Sequence, residues 1–165
     1  NTLKNQFASY DATKLKSAIL DLGKVLLNDL PKVFKALDSG SLMVCVMPRS
    51  KINSDYFEVQ LLFAESIRAM IAKLGGIKMD PECIVRHTST RTTHIRKANG
   101  GANPYPGITR ETCHISDDVR GKDILLIDDI YTKTVNVNED AIQALLDKGA
   151  KSVSLYVVAK TKKKF

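Results

Sequence analysis

Ile124, Leu125, Leu126 and Ile127 form an unbroken apolar run that ends in two acids, Asp128 and Asp129. A strand that is apolar without alternation has no solvated face, so it belongs inside a parallel sheet covered on both sides by helices. The two acids then stand at the carboxyl end of a central strand, the edge where open α/β sheets bind ligands. Residues Thr132 to Asn136 offer hydroxyls, an amide and consecutive backbone N–H groups, and they lead into an amphipathic stretch ending at Gly149. Asn136 is placed to cap this helix with Glu139 as its reciprocal partner, and Gly149 suits a left-handed stop. Loop amides at a helix N-terminus favour a phosphate, and ionised carboxylates accept hydrogen bonds from hydroxyls. A sugar phosphate with vicinal hydroxyls satisfies both.

The remaining periodicity agrees with this frame. Apolar runs at 42–47, 83–85 and 152–158 read as further strands, with 83–85 as the third member of the sheet. Between them lie helical stripes. The first runs from Asp11 to Leu30, where Pro31 either ends it or opens a following turn that continues through Val33, Phe34 and Leu37. A second helix follows Asp55-Tyr56-Phe57-Glu58, a capping-box pattern, and stops at Gly75-Gly76. The expected fold is a doubly wound, mainly parallel α/β sheet flanked by helices, in a single domain. Its parts are a helical segment over 1–41 that could form a hood, a core over 42–158 and a basic tail over 159–165.

The segment Ile124 to Asn136 resembles the 5-phosphoribosyl-1-pyrophosphate (PRPP) signature of type I phosphoribosyltransferases: apolar strand, Asp-Asp, two variable residues, then a Thr/Gly-rich loop. Asp128, Asp129 and Thr132 match that signature, whereas Lys133, Thr134 and Asn136 stand where Thr, Gly and Thr are usual. The resemblance implies that Asp128 and Asp129 are the catalytic acids and hold the ribose hydroxyls. It likewise implies that Thr132, Lys133, Thr134, Val135 and Asn136 hold the 5-phosphate, and that Mg2+ arrives bound through PRPP and water. Glycine in such a loop allows close backbone approach, so Thr134 also leaves room for a binding module that does not turn over.

Two other regions fit the same resemblance. Arg49, Ser50 and Lys51 follow the strand at 42–47 and offer fork, hydroxyl and ammonium donors, like the family's pyrophosphate loop. Arg86 to Arg110 is long, poor in apolar residues and interrupted by Gly100-Gly101, Pro104 and Pro106. Its charges are all positive, which suits a lid closing over a polyanion. The pattern Arg86, Thr88, Arg96, Asn99 resembles the competence-F-like and amidophosphoribosyltransferase-like branch, and Arg91, Arg96 and Lys97 are its expected ligand contacts. His87, His94 and His114 read as solvated or structural, with His94 placed where a loop donor could reach the leaving group. Asp117-Asp118 precedes the central strand and reads as surface.

Composition sets the outer bounds. The chain has 165 residues, 44% hydrophobic and 26% charged, which is ordinary for a globular domain. Cys45, Cys83 and Cys113 are isolated and odd in number. That pattern points to a reducing, cytoplasmic compartment and away from a disulfide frame or structural zinc. No apolar run reaches the length of a membrane span, so no membrane partner is expected. The net charge is +7, and Lys160, Lys162, Lys163 and Lys164 hold four of those units. Such a tail is ordinarily solvated, with nucleic acid as the alternative partner. The expected partners are PRPP and a base or amine, and a homodimer is allowed. The acceptor itself is not legible.

Overall fold

The computed structural model describes residues 2–4, 9–37, 40–76, 78–80, 82–90, 107–131 and 136–160. Its main sheet has four strands, all parallel, in the order β2 (Lys78–Met79), β1 (Leu42–Val46), β5 (Asp123–Tyr131), β6 (Ser152–Lys160). β5 is central, with Cys45 and Leu155 in register on either side of Leu126. Two further strands, β3 (Ile84–Arg86) and β4 (Cys113–Ile115), pair antiparallel as a separate ribbon.

The lack of alternation in β5 has the expected cause. Ile124 and Leu126 pack with Ala141 and Leu145 of α3 (Val137–Asp147) and with Ile84 and Ile115 of the ribbon. Leu125 and Ile127 pack on the opposite face against Leu26 and Leu30 of α1 (Ala12–Leu37) and Phe63 and Ile67 of α2 (Leu62–Leu74). The expected α/β sheet flanked by helices is therefore present. Among the described residues, no helix is long and apolar enough to cross a membrane.

Several local expectations are corrected. The strand at 83–85 is not the third member of the sheet; Lys78–Met79 takes that edge, and the 84–86 strand finds its partner in β4. Pro31 neither ends α1 nor starts a new turn. Leu26 and Leu30 before it and Val33, Phe34 and Leu37 after it share one apolar cluster, and that continuous burial outweighs the roughly 3 kcal/mol that an interior proline costs. α2 starts at Leu62 rather than just after Asp55: 3-10 turns at Asn53–Asp55 and Glu58–Gln60 come first, and the Asp55 carboxylate accepts from Ser89 Oγ at 2.8 Å. Asn136 makes no side-chain cap; Glu139 instead accepts from the Tyr131 hydroxyl at 2.7 Å. Gly149 does adopt positive φ, at 105°, and its carbonyl accepts from Gly121 N–H.

The cysteine reading is overturned. Cys45 in the middle of β1 and Cys83 just before β3 form a disulfide across 38 residues, and both are buried. Neither spacing nor number announces this bond, because the pair meets only once β3 is laid across the sheet. The odd number therefore carries no argument for a reducing compartment. Cys113 is the free cysteine, buried in β4.

Candidate functional site at the carboxyl edge of the central strand

Strand alternation turns the two acids toward different layers. Asp128 follows Ile124 and Leu126 and is 6% exposed. Its Oδ2 accepts from Asn138 Nδ2 at 2.8 Å, and its Oδ1 accepts from the Asp129 backbone N–H at 2.8 Å. Asn138 lies in the first turn of α3 and is itself buried, so the helix that packs under β5 also fixes the acid. Asp129 follows Leu125 and Ile127 and meets Lys4, whose Nζ is 2.6 Å from Asp129 Oδ1 and 3.6 Å from Asp128 Oδ1. Lys4 ends a short 3-10 turn, Thr2–Lys4, anchored by the buried side chain of Leu3.

The environments separate the two carboxyls electrostatically. Burial raises the Asp128 pKa above the ordinary carboxylate range, more than the Lys4 charge and the Asn138 hydrogen bond lower it. Burial acts the same way on Asp129, but there the charge and hydrogen bond of Lys4, with a hydrogen bond from Asp128, outweigh it and hold the carboxyl below its usual range.

Next to the acids, the end of β1 carries Arg49. Its guanidinium donates to the backbone carbonyls of Lys4, at 2.7 Å, and of Gln60, and it lies over the Tyr56 ring at 4.1 Å. Ser50 Oγ is 3.3 Å from the Tyr56 hydroxyl, and the Lys51 side chain is exposed. Arg49 is thus brought beside the acids in a role that sequence did not foresee: it ties the 3-10 turn bearing Lys4 to the β1 loop.

Two further arginines complete the cluster: Arg86, expected only as the start of a lid, and Arg68, which was not expected at all. Arg86, at the end of β3, is buried; its Nε donates to the Arg49 carbonyl at 2.6 Å and its terminal nitrogens reach toward the Gly107 carbonyl. Burial holds its guanidinium below the usual arginine range, though still cationic at neutral pH. Arg68, on α2, has its Nε buried without a hydrogen-bond partner among the described residues. Lys4, Arg49, Arg68 and Arg86 line one cavity of about 70 Å³ whose lining contains no acid. On the other side of Lys4, a cleft of about 410 Å³ opens between the 3-10 turn, α1 and the ends of β5 and β6, with Asp129 in its wall.

Of the expected ligand contacts, Asp128, Asp129, Arg49 and Ser50 converge on this edge, and Lys51 lies on the adjoining surface. Asn136 immediately precedes α3. Thr132, Lys133, Thr134 and Val135 fall outside the described residues, as do Arg91, Arg96, Lys97, His94 and residues 161–165 of the expected tail, whose first two residues, Ala159 and Lys160, instead continue β6 in register with Ile130 and Tyr131. His87 bonds Thr88 Oγ1 and the Arg110 carbonyl, as structural histidines do. Asp117 and Asp118 are exposed and paired with Lys148 and Lys78, as a surface pair should be. Among the described residues, no group of three or more His, Cys, Asp or Glu side chains is gathered to hold a metal ion.

The chain matches no protein-family model and no curated protein.

Reasoning from sequence missed Lys4, Arg68 and Asn138 as site residues, and it read Arg86 as the start of a lid rather than as the buried end of a strand. Asn138 left a faint signal, a polar side chain at the second position of α3, three residues before the apolar Ala141. Lys4 left none, since nothing local relates it to a strand more than a hundred residues away.

Proposed function

We propose that this chain transfers ribose 5-phosphate from PRPP to a nitrogenous acceptor and releases pyrophosphate. The observation that supports it best is the juxtaposition of a carboxylate pair with an acid-free cavity lined by three arginines. Arg86 is buried and Arg68 Nε has no hydrogen-bond partner among the described residues, so an anion in that cavity would meet cationic donors. Carboxylates accept from hydroxyls, so a ligand with vicinal hydroxyls next to a diphosphate complements both halves. In this reading Asp128 and Asp129 hold the ribose hydroxyls, and Arg68 and Arg86 stabilise charge building on the departing pyrophosphate. Arg49 keeps the β1 loop in place, and Thr132 to Asn136 take the 5-phosphate. The rate gain comes from orientation and from fixed cationic donors placed where charge develops. Mg2+ would be held by the oxygens of PRPP and by water rather than by a protein side chain, and would neutralise diphosphate charge.

Lys4 favours a second reading, a PRPP- or nucleotide-binding module without turnover, because an ammonium already sits on the acids. Calorimetric titration of PRPP with Mg2+, paired with pyrophosphate release over a panel of bases and amines, separates the two. Binding with release supports transfer, and binding without release supports the module. No binding at all removes both.

A further inference from the structure

The four-stranded sheet ends on one side at β6, and among the described residues no strand pairs with the outer edge of β6. An edge strand presents a row of unpaired N–H and C=O groups, which proteins ordinarily blunt with a charge, a proline, a bulge or a short length. β6 has none of these. It runs nine residues, Ser152–Lys160, with no proline and no charge before Lys160. Its register with β5 keeps one offset from Asp123–Ser152 to Tyr131–Lys160, so no bulge turns it away. Val153 to Val158 all stay half-buried, although Val153 and Leu155 pack toward α3 and Tyr156 and Val158 toward α1. Apolar residues flank this edge in both layers. Val25 of α1, 40% exposed, shares a cleft wall with Val158. On α3, Asp140, Ala144 and Asp147 face β4 across a separate groove, whereas Leu146, 39% exposed, lies on another stripe, two turns along from Glu139. Glu139 accepts from Tyr131, whose neighbour in register is Lys160, so this stripe is the β6 flank of the helix.

We infer that the β6 edge binds a second copy of this chain, the two β6 strands pairing antiparallel about a two-fold axis so that two four-stranded sheets become one. A two-fold contact requires a self-complementary patch. β6 supplies one, because each of its ends holds charge of both signs. At its start, Lys151 Nζ lies 3.2 Å from Asp123 Oδ2. At its finish, the Lys160 ammonium lies over the Tyr131 ring, whose hydroxyl donates to Glu139. Antiparallel pairing sets the start of one strand beside the finish of the other. Lys160 then meets the partner's Asp123, Glu139 meets the partner's Lys151, and the two-fold makes each contact twice. A parallel alignment would instead set Lys151 on Lys151 and Lys160 on Lys160, like charges that oppose pairing. An unrelated extended peptide gains the backbone hydrogen bonds alone, whereas a second copy also satisfies both charged ends. Between those ends the β6 side chains, with Leu146 on one layer and Val25 on the other, form an apolar centre inside a polar rim, the usual build of a protein interface. The merged sheet stays within the strand numbers that open twisted sheets reach.

Sedimentation velocity over a range of protein concentrations tests this, on the wild-type chain and on Ser154→Lys and Leu146→Lys. Ser154 is half-buried in mid-strand and belongs to neither apolar cluster, and Leu146 is exposed on α3, so neither substitution reaches the core. A lysine in the middle of an edge strand opposes pairing with another chain. The expected result is a monomer–dimer equilibrium whose dissociation constant rises about tenfold or more in each variant, with the circular dichroism spectrum unchanged. If Ser154→Lys fails to fold, Leu146→Lys alone decides. Hydrogen exchange in β6 should slow as the wild-type concentration rises, and should not do so in the variants. The proposal is overturned by a wild-type monomer at every concentration, by a dimer that the variants leave intact, or by open-ended association. A monomer in which every β6 amide exchanges slowly also overturns it, because another segment then covers the edge.

Discussion

Lys4 Nζ lies 2.6 Å from Asp129 Oδ1, and the backbone carbonyl of the same lysine accepts from Arg49, 45 residues along the chain. One residue of the N-terminal turn is thereby tied to both the acid pair and the cationic loop beside it. A single tethered ammonium thus faces both carboxylates.

Replacing Lys4 with Ala should therefore move two measurements in opposite directions. Folding stability should fall by about 2 kcal/mol, the scale of a charge-assisted hydrogen bond, as read by chemical denaturation. PRPP affinity in Mg2+ should rise, because the competitor for the acids is gone. A loss of both would mark Lys4 as part of the binding surface instead.

Arg68→Met should behave differently. It removes a guanidinium whose Nε is buried without a partner, so the thermal midpoint should hold or rise. Pyrophosphate affinity by calorimetry should drop about tenfold or more, since a donor to the polyanion is lost.

Acidification should weaken ligand binding in a defined order. Asp128 is raised above the ordinary aspartate value of about 3.9 and Asp129 is lowered below it. As pH falls, Asp128 takes up its proton first, and affinity for a hydroxyl-bearing ligand drops as pH passes through that raised value. The ion pair of Asp129 contributes stability at higher pH that disappears only as pH falls through its own lowered value. Asn138→Leu removes a hydrogen bond that lowers the Asp128 pKa, so the midpoint for binding should shift further upward. PRPP titrations across a pH series, on wild type and variant, provide the check.

The disulfide gives a redox prediction. Closing a 38-residue loop is worth about 4 kcal/mol through restriction of the unfolded chain. Cys83→Ser, or reduction under otherwise equal conditions, should lower unfolding stability by a figure of that order in urea titrations.

How much was legible beforehand follows from the range of the interactions. The apolar run in β5 announces burial on both faces because its neighbours in sequence carry the whole pattern, and the acids are located with it. Gly149 is legible for the same reason. The site's other half is not. Arg68 reads as an ordinary helical charge, Cys45 and Cys83 as isolated thiols, and Lys4 as one lysine among many, because each acquires its meaning from a partner on another element. The failed caps are of this kind too: Asp55 and Asn136 have the right identity at the right spacing. Ser89 claims the first, a pairing 34 residues away in sequence. At the second, Tyr131 draws off Glu139, the intended reciprocal partner.

Asp128 is held from the α3 side through Asn138, and the N-terminal turn reaches both acids through Lys4, most closely Asp129. Any molecule that grips both carboxylates at once acts as a rivet through the sheet, and its arrival is felt in the two outer layers together. Hydrogen exchange should then slow in α3 and in the N-terminal turn in step.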